Sequence, residues 1–439
     1  MNIPLDRLYQ FIENIAQEIY NDCVIIYRFY PHGSKNINNL QPLHSLDSAL
    51  DLNQQFINQQ THPKIMCFDQ EPTNSEFYDK TSESLWPHLK LTNINTYYDE
   101  IKYGLFEKHL LLHSEKRIDK FDDDSIPVYY WSHGVIARDW FRYAEHEKFQ
   151  KDVKKTFLIY NRAWSGTREY RIKFVDLLIE HNLVDKCHTT FNAVDPESAE
   201  HYTAHTFKNQ HWRPEHKLEN YLNPTIADAT SSADFVTDDY NSTDIEVVLE
   251  TLFDTLQLHL TEKILRPIAC KQPFILAGTH GSLEYLRSYG FKTFGHVWDE
   301  SYDQIENPIE RLACITKLMQ QITNWSQEER ASKMLQAQQI ADYNHQWFFS
   351  EEFFDLVINE LRKNLKFGFD ELESCNNYVK WIENYKIYLT HPLIVEWLKV
   401  NQASDVINTP GYASSQESMD IILSIAENKL KEKSNKKII

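Results

Sequence analysis

Short apolar runs of strand length recur along this chain, and segments with helical apolar spacing separate them; no other feature constrains the fold as strongly. Cys23 to Tyr30, Lys64 to Asp69, His109 to Ser114 and Pro127 to Ser132 form a first set. Thr156 to Asn161, Lys186 to Phe191, Asp244 to Glu250, Pro273 to Gly278 and Phe291 to Phe294 form a second. Parallel strands need crossovers long enough to hold a helix, so the alternation specifies α/β layers around two parallel sheets. Each set matches one Rossmann-like domain, and the charged stretch Glu145 to Lys155 is the expected linker. Residues 1–150 and 151–345 are therefore expected as two domains. Glu310 to Ile322, Gln327 to Asn344 and Glu351 to Leu365 read as amphipathic helices, and 346–439 as a helical C-terminal extension ending in a basic tail.

With 439 residues, 42% of them hydrophobic, the chain has material for two cores. It contains no run of about 18 apolar residues, and acidic residues occupy an N-terminus where a signal peptide needs a basic start. The expectation is a soluble, cytoplasmic protein without membrane insertion. Six widely spaced cysteines, with no C-x-x-C pair, suggest neither a disulfide framework nor a zinc site. A formal charge of −19 argues against a generally basic nucleic-acid binder but leaves room for a local basic groove. Only ten glycines are present and no G-x-G-x-x-G follows a strand, which removes most support for a dinucleotide oxidoreductase.

Chemistry concentrates between Glu250 and Phe294. Thr261 is placed to cap a helix starting at Glu262, leaving free amides beside Lys263 and, one turn on, Arg266. Such an end attracts phosphate. Glu262 suits the two hydroxyls of a ribose, or else it stabilises the helix dipole. Lys263, Arg266, Arg162 and Arg168 are candidate cations for a departing diphosphate; the bland alternative is solvated helix residues. Asn161 and Arg162 follow the first strand of the second set, as a ligand-contacting loop or a plain turn.

The same segment resembles GT-B-type glycosyltransferases of bacteriophages and bacteria. The matching residues are Thr261, Glu262, Lys263, Pro267, Ile268, Gly278, Gly281, Ser282, Leu283, Leu286 and the run Gly290 to Phe294. Weaker likeness extends to Phe68–Pro72, Ser132–His146, Phe157–Arg171 and Val297–Leu312. The resemblance implies two Rossmann-like domains facing across a cleft. It also implies a nucleotide-sugar co-substrate, UDP-linked, with neither a bound metal nor another cofactor. Donor contacts are expected from Asn161, Arg162, Arg168, Glu250, Thr261, Glu262, Lys263, Arg266, Gly281 and Ser282.

An inverting transfer needs a base for the acceptor hydroxyl, and Asp69, Glu71 and His133 are the candidates. The two carboxylates sit after an apolar strand, as a base pair or as an Asx-type turn; His133 is a base or a structural hydrogen-bond donor. Arg138 and Arg171 are expected at the acceptor. Arg162, Arg168 and Arg171, interleaved with Tyr160, Trp164 and Tyr170, form either a phosphate-tracking strip or a solvated helix face. The phage likeness implies duplex DNA as partner, with arabinosyl or glucosyl transfer to 5-hydroxymethylcytosine. A polysaccharide or small-molecule acceptor is the alternative within the enzyme class. A catalytically silent nucleotide-sugar-binding protein, or a nucleic-acid module without a sugar site, are alternatives outside it.

Overall fold

The computed structural model describes residues 4–20, 24–29, 40–42, 64–67, 109–117, 125–223 and 234–374. The elements of the first part are α1 (Pro4–Tyr20), β1 (Ile25–Phe29), β2 (Leu40–Pro42), β3 (Lys64–Cys67), β4 (His109–His113) and β5 (Ser125–Tyr129). There follow α2 (Ser132–Trp140), β6 (Lys155–Ile159), α3 (Tyr170–Glu180), β7 (Cys187–Thr189), α4 (Thr237–Asn241) and β8 (Thr243–Leu249). The remainder comprises α5 (Glu262–Ala269), β9 (Phe274–Ala277), α6 (Ser282–Ser288), α7 (Pro308–Thr323), α8 (Gln327–Phe349) and α9 (Glu351–Ser374).

The first sheet has strand order β2-β1-β3-β4-β5, parallel except for β2, which pairs antiparallel with β1. That edge strand of three residues has no apolar run to announce it, and its Pro42 is tolerable because an edge needs fewer donors. On α1, Leu8, Ile12, Ile15 and Ala16 are buried at helical spacing. The later part of α9 belongs to the same compact unit. It approaches so closely that a Cβ at Gly368 would lie 2.8 Å from Val128. Asn364 donates to the Tyr129 carbonyl at 2.7 Å, and Phe369 stacks on Tyr20 with ring centroids 5.1 Å apart.

The second sheet, β7-β6-β8-β9, is parallel throughout. All four residues of β9 and the last five of β8 are buried, as expected of strands covered on both faces. The chain moves one way from β6 through α3 to β7 and the other way from β8 through α5 to β9. Right-handed crossovers then put α3 and α5 on opposite faces. In agreement, α3 packs on α7, whereas α5 packs on α2 and α8.

The unit built on this sheet comprises Met1–Leu5, Glu115–Arg117 and Trp131–Asn359, so the chain divides at Tyr130/Trp131 and Asn359/Glu360 instead of at 150 and 345. Packing explains the difference. Trp131 donates to the Leu260 carbonyl at 3.0 Å and sits 4.5 Å, centroid to centroid, from Tyr289, which ties α2 to the second sheet. Phe291 to Phe294, expected as a strand, is irregular. Its backbone is satisfied by side chains: Lys292 N–H donates to Asn344 Oδ1 and Lys292 C=O accepts from Asn344 Nδ2, both at 2.8 Å, while Phe294 N–H donates to Glu300 at 2.7 Å. The apolar signal there reports burial without pairing. Residues 375–439, including most of the expected C-terminal extension, lie outside the described residues.

Candidate functional site

Strand order makes the carboxyl ends of β6 and β8 a topological switch point, where the following loops turn to opposite sides and leave a crevice. Arg171, on α3 and 2% exposed, stitches the two ends together. Its Nη1 donates to Asn161 Oδ1 (3.0 Å) and the Ala163 carbonyl (2.6 Å); its Nη2 donates to the carbonyls of Leu249 (2.7 Å) and Glu250 (2.9 Å). Asn161 N–H is held by Thr190 Oγ1 at 2.9 Å.

Beyond β8, Glu250 is fully buried and its carboxylate accepts from Thr261 N–H (3.1 Å), Thr261 Oγ1 (2.7 Å) and Thr251 N–H (3.2 Å). The same Thr261 oxygen accepts from Lys263 N–H at 3.3 Å, capping α5 at its first turn. Glu262 then lies between Lys263 Nζ, 2.8 Å from its Oε1, and His133 Nε2, 3.5 Å from its Oε2. Burial pushes the Glu262 carboxyl up, but Lys263 and His133 outweigh it and hold the group down at about 2. One turn on, Arg266 pairs with Glu246 at 2.6 Å beneath the Tyr160 ring, and Tyr240 donates to the other oxygen of Glu246 at 2.5 Å.

Next to the start of α5 is a cavity of about 190 Å3, whose walls include Tyr160, Asn161, Arg162, Arg171, Phe235 and Lys263. Tyr160 donates to Asp239 at 2.6 Å, and His188 lies 3.3 Å from the other oxygen of Asp239. Contact with Asp239 raises the His188 pKa, and its partners His188 and Tyr160 hold Asp239 low against the effect of burial.

The fold thus gathers four of the expected donor residues, Asn161, Arg162, Lys263 and Arg266, around one space, with Thr261 and Glu262 adjoining. Other expectations are corrected. Arg171 is an internal tie, not an acceptor cation, because all its bonds run to interior oxygens. Arg168 forks onto Glu197 and Arg171 is turned inward, so the strip of Arg162, Arg168 and Arg171 is not assembled; Arg138, expected at the acceptor, donates to the Phe349 carbonyl at 2.8 Å and lies 3.4 Å from Glu351. Glu250 is saturated by the Thr261 cap, and its role is to fix the helix start. Arg266 is neutralised by Glu246. Gly281 has φ 79° and turns the chain beneath Arg117, whose Nη2 donates to the His280 carbonyl at 2.6 Å; Ser282 bonds the Thr279 carbonyl. Asp69 and Glu71 lie outside the described residues.

Asp239, Thr190 and Phe235 were missed as cavity walls, since each is a lone residue whose position depends on the sheet order. His259, with its ring 5.1 Å from that of His133, was missed too. Among the described residues no group of three or more His, Cys, Asp or Glu could hold a metal ion, and no helix is long and apolar enough to cross a membrane.

Fold and site define an α/β protein with parallel sheets and a crevice at the carboxyl edge of one of them, walled by aromatic and aliphatic side chains together with cations and two aspartates. Comparison with protein-family models, curated proteins and solved structures gives no significant match.

Proposed function

We propose that this chain is a glycosyltransferase, moving a sugar from a nucleotide-sugar donor, UDP-linked, to a hydroxyl acceptor. The observation that carries the reading is the capped start of α5 at the switch point, beside a cavity walled by Asn161, Arg162 and Lys263. First-turn amides and these side chains supply donors and positive charge to a departing diphosphate, stabilising the charge that grows as the glycosidic bond breaks. Glu262 would take the ribose hydroxyls, exchanging its contact with His133 for them. His133, buried beside Glu262, supports a general-base role at the acceptor hydroxyl, as do Asp69 and Glu71 in the resemblance. In this reading the two sheets are the halves of a GT-B enzyme facing across a cleft, working in the cytoplasm, the host's if a phage encodes it.

For the acceptor, 5-hydroxymethylcytosine in duplex DNA follows from the phage likeness. A glycan or small-molecule acceptor is favoured by one observation: Arg138, Arg168 and Arg171 are all engaged internally. The test is incubation with a panel of nucleotide sugars and hydroxymethylated duplex, digestion to nucleosides, and mass analysis. A pentose or hexose gain on the modified base supports DNA transfer. Donor hydrolysis without that gain moves the acceptor to a glycan or small molecule. Donor binding with neither reaction makes the chain a silent binder and removes the enzyme reading.

A further inference from the structure

Residues 192–223, after β7, run along α3, where two buried carboxylates hold them: Glu169, just before the helix, and Asp176 within it. Each collects two amides and one imidazole. Glu169 accepts from Lys208 N–H (3.0 Å), Asn209 N–H (3.2 Å) and His205 Nε2 (3.0 Å). Asp176 accepts from Glu215 N–H (3.1 Å), His216 N–H (2.8 Å) and His216 Nδ1 (2.8 Å).

The two joints differ in their protons. His216 sets one nitrogen on a carboxylate, which a neutral imidazole satisfies with its single N–H. His205 sets both: Nε2 on Glu169, and Nδ1 2.7 Å from Glu200 Oε2. A neutral imidazole donates from one nitrogen and turns a lone pair towards the other carboxylate, so this geometry requires the imidazolium. A protonated carboxyl in its place is disfavoured, because imidazole is the more basic group by about two units and both Glu169 oxygens already accept from amides. Neither Glu169 nor Glu200 pairs with a lysine or arginine among the described residues, and Arg168, next to Glu169 in the chain, is committed to Glu197. Around the imidazole lie the rings of Trp164 and Phe207, 5.1 and 4.8 Å away between centroids.

The held segment also braces the loop after β6. Asp195 accepts from Trp164 N–H at 2.6 Å and Ser165 N–H at 2.8 Å; the Asn192 carbonyl accepts from the Trp164 indole at 3.0 Å, and Asn192 Nδ2 donates to the Arg162 carbonyl at 3.3 Å. Asp195 N–H in turn donates to the Glu200 carbonyl at 2.9 Å, so the turn that carries Glu200 and the loop that carries Arg162 share one hydrogen-bonded frame.

We propose that His205 is a proton-operated latch: the imidazolium bridges Glu169 and Glu200 and holds the turn 195–205 closed, and loss of its proton releases Glu200 and loosens the turn together with Trp164 and Ser165. Glu200 is the partner released because its side chain is 51% exposed and is readily hydrated, whereas Glu169, 3% exposed, keeps the one N–H that remains. Burial pulls the His205 pKa down, but Glu200 and Glu169 outweigh it and hold it above the ordinary 6.5. With the folded value raised, the contribution of the latch is complete below pH 6.5 and is lost as pH rises through the folded value. The latch does not rest on the proposed function.

The experiment follows amide exchange of the full chain by mass spectrometry, corrected for its intrinsic dependence on pH, and the His205 imidazole by NMR, from below to well above pH 6.5. His205 is expected to titrate above 6.5. Across that titration, protection of the 195–205 amides and of Trp164 and Ser165 is expected to fall about three- to tenfold, the range for a charge-assisted contact that is partly screened by solvent. His205→Gln keeps a donor for Glu169 and cannot titrate, so its protection should be flat with pH, at the alkaline level of the wild type. Glu200→Gln, at an exposed position, should bring the His205 titration back towards 6.5 and shrink the step. His216→Asn alters the other joint and should keep it. A His205 that titrates at or below 6.5, a wild type without the step, or a step that survives in both His205→Gln and Glu200→Gln would overturn the latch; a step confined to 195–205 would overturn its coupling to Trp164 and Ser165.

Discussion

His133 Nε2 lies 3.5 Å from Glu262 Oε2, joining the start of α2 to the start of α5 although 129 positions separate them in the chain. Both side chains are nearly excluded from solvent, so this contact and the Lys263 ammonium set the charge of Glu262.

Glu262→Gln is expected to have a pH signature. The carboxyl moves from an ordinary 4.5 to about 2 on folding, so its contribution is complete above pH 4.5 and is lost as pH falls towards 2. The shift corresponds to about 3 kcal/mol. Urea unfolding between pH 6 and 3 should show stability falling less steeply with acid in the variant. If Glu262 also holds the ribose, donor affinity falls about ten- to a hundredfold; equal slopes and equal affinity would remove both roles.

Neutralising Arg168 is expected to leave DNA binding unaffected, because its guanidinium is committed to Glu197. A contact with phosphate contributes about 0.9 to the slope of log affinity against log salt. Arg168→Gln should therefore shift that slope by much less than one unit in a filter-binding or anisotropy series. A full unit lost would restore the basic strip.

Two left-handed glycines are expected to differ in cost. Gly281 has φ 79°, and a Cβ there would meet the end of the exposed Arg117 side chain at 2.7 Å, a flexible side chain that can move into solvent by giving up its bond to the His280 carbonyl. Gly290 has φ 86°, and its Cβ would meet the Trp347 ring at 2.8 Å, held by a 2.7 Å bond to the Tyr289 carbonyl. Gly281→Ala should cost about 1–2 kcal/mol for backbone strain. Gly290→Ala should add about 1–3 kcal/mol of overpacking. Comparable denaturation midpoints for the two variants would contradict this.

Transfer is expected to persist in excess chelator, since Arg162, Lys263 and the α5 amides supply the charge that a divalent ion would otherwise bring to the diphosphate. Loss of activity with EDTA, recovered on adding Mg2+ or Mn2+, would show that the leaving group is handled by a metal.

The sequence by itself determined the elements whose cause is local. Eight of the strands overlap the expected runs, most plainly β8 and β9, which are covered on both faces and so are apolar nearly throughout; the α5 start at Glu262 was legible because a threonine cap acts over two residues. Tertiary structure decided what those elements bring together. Phe291 to Phe294 has the composition of a strand, yet Asn344 and Glu300, remote or non-adjacent in sequence, satisfy its backbone instead of a neighbouring strand. Arg171 reads as a surface cation in a basic run, and only the order β7-β6-β8-β9 shows that it spans two strand ends in the interior. The cavity likewise depends on that order, which sets Asn161 after β6 beside Lys263 on α5. Spacing along a chain fixes periodicity and caps, whereas burial and the pairing of charges depend on distances through space that no local pattern encodes.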